Sequence, residues 1–191
     1  METKQTKLAL FASGTGSNVF NIITHFDKHP TISVDLVLSN NANAGALQHA
    51  SNAGIKTFVF DKEDLYNSNT VLNQLKQAEI DYIILAGFLW KIPNNIIELY
   101  TNKILNVHPS LLPKYGGKGM YGKHVHTAVL KNKEKQTGIT IHLVNEKYDD
   151  GNIIAQFTCA ISPTETLQTL QKKISKLEKE NFPITIEKYI K

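Results

Sequence analysis

The 191-residue chain contains no arginine: all 21 of its basic residues are lysine. Without a guanidinium, no side chain can grip a carboxylate, a phosphate or a guanine edge through two parallel N–H donors. That weakens a sequence-specific DNA-binding reading and leaves backbone amides and lysines to hold any anionic ligand. Cysteine is almost absent too, and the single Cys159 cannot close an intramolecular disulfide. Its strand-like surroundings predict a buried, inert thiol rather than a nucleophile. No apolar run is long enough to span a bilayer, and Met1 to Lys7 leads straight into a short apolar strand without a signal-peptide pattern. A soluble, cytoplasmic protein with neither a membrane nor a nucleic-acid partner is expected. With 41% hydrophobic residues, the chain can bury a substantial core as one domain spanning 1–191.

What is present alternates. Leu8-Ala9-Leu10-Phe11-Ala12 reads as a fully buried parallel strand, Ser13-Gly14-Thr15-Gly16-Ser17-Asn18 as a glycine-rich turn, and Val19 to Phe26 as a helix. That order presents free N–H groups at a helix N-terminus, which suits a phosphate. It is not a Walker loop, because Gly16-Ser17-Asn18-Val19 lacks the closing Gly-Lys-Ser/Thr. Nor is it a dinucleotide fingerprint, since Val19 stands where a third Gly is needed and Val34 to Ser39 ends in Asn40-Asn41 without an acidic residue. A plain turn with no ligand, or a nucleotide-binding α/β module, remains an alternative reading.

The pattern continues with a strand at Leu36 to Leu38, a helix from Ala44 to Ala53 closed by Gly54, a strand at Thr57 to Phe60 and a helix from Leu65 to Gln77. A strongly apolar strand at Tyr82 to Ala86 follows, then a helix from Asn94 to Tyr100. Repeated strand and helix of this kind predict an α/β domain with a mainly parallel sheet, whose ligands sit at the carboxyl ends of the strands. Gly87-Phe88-Leu89-Trp90-Lys91-Ile92-Pro93 keeps apolar and aromatic residues where a polar loop is usual. It could line a pocket for a flat ring or merely cover the core.

The stretch that carries chemistry is Ile104-Leu105-Asn106-Val107-His108-Pro109-Ser110-Leu111-Leu112-Pro113. On a strand, side chains two apart share a face, so Asn106 and His108 can point into one cavity. Tyr115 to Lys123 then holds glycines and lysines in a basic loop. His124 and His126 stand two apart with no Cys, Asp or Glu at ligand spacing, so no metal is expected. A short helix at Ala128 to Lys133 precedes an alternating strand, Gly138 to Val144. A turn at Tyr148-Asp149-Asp150-Gly151 leads to an antiparallel partner, Ile153 to Cys159. An Asp in such a turn is ordinarily solvated, and acquires chemical meaning only if the turn packs over His108. A lysine-rich helix begins near Glu165, Pro183 ends it, and a last helix reaches Tyr189.

Together, Ser13 to Asn18, Leu85-Ala86-Gly87-Phe88, Asn106 to Pro113 and Tyr148 to Gly151 resemble the phosphoribosylglycinamide formyltransferase family of de novo purine synthesis, in order and over nearly the full chain. The resemblance implies a formyltransferase fold: a Rossmann-like three-layer sandwich with a mostly parallel, mixed sheet and a C-terminal antiparallel hairpin and helix. A phosphate-binding half would cover about 1–100, and a catalytic, folate-binding half about 101–191. It implies formyl transfer from 10-formyltetrahydrofolate, as cosubstrate, to the amine of glycinamide ribonucleotide, by a monomer or homodimer. The family's catalytic residues fall on Asn106, His108 and Asp149, its phosphate turn on Gly16, Ser17 and Asn18, and its ribose-binding glutamate on Glu178. The folate loop falls on Leu89, Trp90, Lys91 and Ile92, with Asn106 also on the folate side. The chain departs from the pattern at Asp150, where a small residue is usual, and at Trp90, where many relatives carry arginine. Its Tyr115 to Lys123 loop is also longer than in some relatives. Within the same fold, formyltetrahydrofolate hydrolase and methionyl-tRNA formyltransferase each call for a further domain.

Overall fold

Leu8-Ala9-Leu10-Phe11 is apolar throughout, and only a strand covered on both faces can bury all four. The computed structural model describes residues 5–191, and these four side chains, each 0% exposed, are the last four of β1 (Thr6–Phe11). Burying each Leu or Phe of this kind contributes roughly 1.5–3 kcal/mol. β1 pairs in parallel with β2 (Ile32–Ser39) and with β4 (Tyr82–Leu85), and β2 pairs in parallel with β3 (Lys56–Val59). The intervening helices are α1 (Ser17–Phe26), α2 (Gly45–Asn52) and α3 (Thr70–Gln77), with α4 (Asn94–Leu99) after β4. Gly54, just past the end of α2, takes φ +70, the left-handed value that lets a helix end there.

The chain forms two compact units, the first ending at Leu105 and the second comprising Asn106–Lys191. β5 (Ile104–His108) is followed by α5 (Lys123–Lys131), β6 (Gln136–Leu143), β7 (Ile153–Ala160) and α6 (Leu167–Ile190). β6 and β7 are antiparallel, and the hydrogen-bonded order of the strands is β3-β2-β1-β4-β5-β6-β7. The α/β fold with a mixed sheet is therefore the one expected. In the second unit Leu170, Ile174, Phe182 and Ile186 of α6 and Ile139 and Ile141 of β6 form the buried apolar set. Among the described residues no helix is long and apolar enough to cross a membrane.

Five local expectations are corrected. The helix expected from Leu65 to Gln77 is a π-helical turn at Glu63–Asn67 and then α3, parted where Ser68 turns extended and its hydroxyl accepts the Thr70 N–H at 3.2 Å. α5 occupies Lys123–Lys131 rather than Ala128 to Lys133, because Val125, His126 and Val129 are its buried face. Pro183 does not end α6. The proline is itself buried between Phe182 and Thr185, and Asn181 Nδ2 and Thr185 Oγ1 each donate to the carbonyl four residues back at 2.8 Å. Packing on both sides of the proline outweighs the donor it removes. The alternating strand expected at Gly138 to Val144 is Gln136–Leu143 and is buried on both faces, with every residue from Thr137 to Leu143 buried. Finally, Cys159 is half-buried rather than buried, although burial still pushes its thiol pKa up.

Candidate active site

Val107 and its apolar neighbours commit β5 to the core, and the alternation of the strand sets Asn106 and His108 on its other face. Pro109 forbids simple continuation, so the chain leaves the sheet immediately after His108. The exit is held by Thr140 of β6, whose hydroxyl donates to the Ser110 carbonyl at 2.7 Å and accepts from the Leu112 N–H at 2.9 Å and from Gln156 Nε2 at 2.9 Å. Gln156 also donates to the Leu112 carbonyl at 3.0 Å. A buried hydroxyl with three partners is fully used, and its cost of burial is met.

His108 is 4% exposed and has an oxygen on each side of its ring. Nε2 lies 2.8 Å from the backbone carbonyl of Tyr115, which can only accept, so Nε2 carries hydrogen. Nδ1 lies 3.5 Å from Asp149 Oδ1, an ion pair when the ring is doubly protonated. Tyr115 adopts φ +58, and its hydroxyl anchors it by donating to Glu134 at 2.9 Å while accepting from Asn132 Nδ2 at 2.9 Å. Its side-chain contacts thus hold a left-handed backbone that turns the carbonyl to the histidine.

Asp149 is no solvated turn-former, as its side chain is only 13% exposed. Its Oδ2 accepts the Gly117 N–H at 2.9 Å, and its Oδ1 faces both His108 and, at 3.7 Å, Nε2 of His142. His142 in turn stands 3.1 Å from Asn106 Nδ2. The three residues expected to act together, Asn106, His108 and Asp149, are brought together, and His142 joins them. His142 is the residue that sequence reasoning missed. A signal existed: Thr140 and His142 are polar residues two apart on one strand, the same spacing as Asn106 and His108. Burial holds the pKa of His142 below the ordinary imidazole value of 6.5, and a charged His108 adds to this, while the Leu143 carbonyl and Asp149 oppose it. His126 is also held low, by burial and then by His108, and its buried Nδ1 has no hydrogen-bond partner among the described residues.

The remaining predicted positions are distributed over both units. Gly16 is the N-cap of α1 at φ +78, and a Cβ there would sit 2.4 Å from the Ala46 Cα. Ser17 and Asn18 open α1, whose first turn has neither a side-chain cap nor an acidic residue, so its positive end is available to an anion. In the loop after β4, Leu89 is 51% exposed and its N–H donates to Ser13 Oγ at 3.1 Å. Trp90 packs against Phe60 and Phe88 with ring centroids 6.2 and 6.4 Å away, and Lys62 Nζ lies 5.7 Å from its ring. The Lys91 carbonyl accepts from Tyr66 at 3.0 Å, whereas Ile92 is buried at 2% exposure. Ile92 therefore has a core side chain and can offer a ligand little beyond its backbone. Glu178 sits half-buried on α6.

Asn106 and His108 at the end of a sheet strand, with Asp149 brought to the histidine from a later turn, form the candidate site of this α/β fold. Residues 6–186 match the formyl transferase family, and the chain belongs to it. It is 33% identical over 189 residues to phosphoribosylglycinamide formyltransferase of Bacillus subtilis, covering 96% of this chain and 94% of that one. The chloroplastic phosphoribosylglycinamide formyltransferase of Arabidopsis thaliana is 37% identical over 180 residues, covering 91% of this chain and 61% of the relative. The chain thus spans about three fifths of that plant protein. The crystal structure of phosphoribosylglycinamide formyltransferase from Bacillus halodurans superimposes with a TM-score of 0.88 at 32% identity, covering 97% of this chain and 95% of that one.

Proposed function

We propose that this chain transfers the formyl group of 10-formyltetrahydrofolate to the primary amine of glycinamide ribonucleotide. The observation that carries the reading is the convergence of His108 and Asp149 at 3.5 Å, with Asn106 joined to the same cluster through His142. The names of the relatives support formyl transfer and the choice of acceptor class.

The reaction is attack of a neutral amine on the formyl carbon, giving a tetrahedral oxyanion that collapses as the bond to folate N10 breaks. The amine must lose a proton and N10 must gain one. Asn106 has a second Nδ2 hydrogen beyond the one facing His142, and this can be donated to the oxyanion. Removing a preorganised donor of this kind typically slows a reaction ~10²–10³-fold. In the present geometry the Nε2 hydrogen of His108 goes to the Tyr115 carbonyl. A substrate oxyanion would take over that hydrogen, and Asp149 would stabilise the ring cation and orient a water carrying the proton from amine to N10. The first turn of α1, at Gly16, Ser17 and Asn18, would hold the substrate phosphate. The Leu89 to Ile92 loop would meet the folate, and Glu178 the ribose.

The test is a formyl-transfer assay of the purified chain with 10-formyltetrahydrofolate and three acceptors in parallel: glycinamide ribonucleotide, water alone and charged initiator tRNA. Formylated glycinamide ribonucleotide is expected, with stoichiometric release of tetrahydrofolate. Turnover with water or tRNA but not with the amine would overturn the reading.

A further inference from the structure

We infer that His142 is a positioning residue: held as the Nδ1–H tautomer, its neutral ring fixes which way the Asn106 amide faces. The carbonyl of Leu143 lies 2.8 Å from His142 Nδ1. A carbonyl oxygen only accepts, so Nδ1 carries hydrogen. A neutral imidazole has one such hydrogen, which leaves a lone pair on Nε2. That lone pair faces Asn106 at 3.1 Å. With the amide turned over, Oδ1 would set its own lone pairs against Nε2, so the nitrogen of Asn106 is the atom that faces His142. One Nδ2 hydrogen is committed to the ring, and the other is left in a defined direction.

The surroundings hold the ring neutral and still. His142 is 2% exposed, and the register of β6 against β7 shifts between Ile141 and His142, where the strand re-aims its side chains. The charged groups facing the ring are Asp149, with Oδ1 3.7 Å from Nε2, and His108 of β5 when it is protonated. Burial is the larger influence and keeps the proton off Nε2. A doubly protonated His142 would aim an N–H at the Asn106 amide nitrogen and draw Asp149 away from His108. Both changes would undo the arrangement of the cluster.

The consequence for catalysis rests on the formyl-transfer reading, whereas the ring assignment does not. The test therefore has two arms on the full chain. In the first, the protein carries ¹⁵N-labelled histidine and His142 is assigned by loss of its signals in His142→Gln. A protonated, pyrrole-type Nδ1 and an unprotonated, pyridine-type Nε2 are expected at neutral pH. The opposite tautomer, or a cationic ring, would overturn the inference. In the second arm, His142→Leu frees the Asn106 amide to rotate, and kcat is expected to fall by about 10²-fold with KM unchanged. His142→Gln, whose side-chain carbonyl can accept the same Nδ2 hydrogen, restores part of kcat. Wild-type kcat in His142→Leu overturns the positioning role. If that variant does not fold, the tautomer measured in the unmodified chain decides. A chain that shows the expected ring but transfers nothing to glycinamide ribonucleotide refutes the proposed reaction and upholds the ring assignment.

Discussion

Gly117 holds Asp149 by its backbone: the N–H donates to Asp149 Oδ2 at 2.9 Å, while Oδ1 is left 3.5 Å from His108 Nδ1. The glycine-rich loop after β5 is therefore part of how the carboxylate is aimed.

Gly116→Ala tests that link. A Cβ there would lie 2.6 Å from Leu112 Cδ2 and 3.2 Å from Asp149 Cβ, and Leu112 is itself buried at 6% exposure. The crowding is expected to cost about 1–3 kcal/mol in urea unfolding, together with a lower kcat as Asp149 shifts. Gly117→Ala has open space but φ +96, so backbone strain should cost about 1–2 kcal/mol. A destabilised Gly116→Ala chain with undiminished kcat would show that the loop does not aim the carboxylate.

Asp149 and Asp150 are adjacent but differ in setting. Asp150 is 55% exposed and pairs only loosely with Lys147 at 3.9 Å. Asp149→Asn is expected to lower kcat by about 10²-fold or more through the lost partner of His108. Asp150→Asn should leave kcat near wild type. Equal effects of the two substitutions would count against the assignment of Asp149.

Stability should depend on pH through His126 and His142, both held below 6.5 by burial. Below 6.5 the unfolded chain binds protons that the folded rings refuse. The stabilisation is therefore complete above 6.5 and lost as the pH falls toward the folded-state values. Thermal melts followed by circular dichroism should show Tm dropping on acidification below 6.5, and a His126→Gln, His142→Gln double variant should show a shallower drop. Parallel curves would exclude these two rings as the source.

Trp90 is the single tryptophan of the chain, so its emission reports one loop. If folate meets Leu89 to Ile92, titration with tetrahydrofolate should change that emission with a midpoint matching its inhibition of turnover. Trp90→Ala should also cost about 1–2 kcal/mol through lost aromatic contacts with Phe60 and Phe88. Unchanged emission at inhibitory folate concentrations would remove Trp90 from the folate site.

The strands of the first unit were legible because apolar runs such as Leu8 to Phe11 and Tyr82 to Leu85 lie between glycine and polar breaks. Asn106 and His108 were legible from the period of a strand. What escaped depends on contacts made far away in sequence. The start of α5 was hidden because His126, polar by type, occupies a buried position between Val125 and Val129. Pro183 reads as a stop because its local cost is visible in the chain, whereas the packing of Phe182 and Ile186 that outweighs it is not. His142 lay in plain view on a strand read as alternating, and only the burial of both faces of β6 shows that its ring must be hydrogen-bonded.

The Thr140 clamp has a further consequence for motion. Because Ser110, Leu112 and Gln156 all converge on one hydroxyl carried by β6, the segment leaving His108 has no private way to open. Loosening it breaks bonds to the β6–β7 hairpin itself, so the exit from the histidine strand inherits the cooperativity of the sheet rather than that of a surface loop.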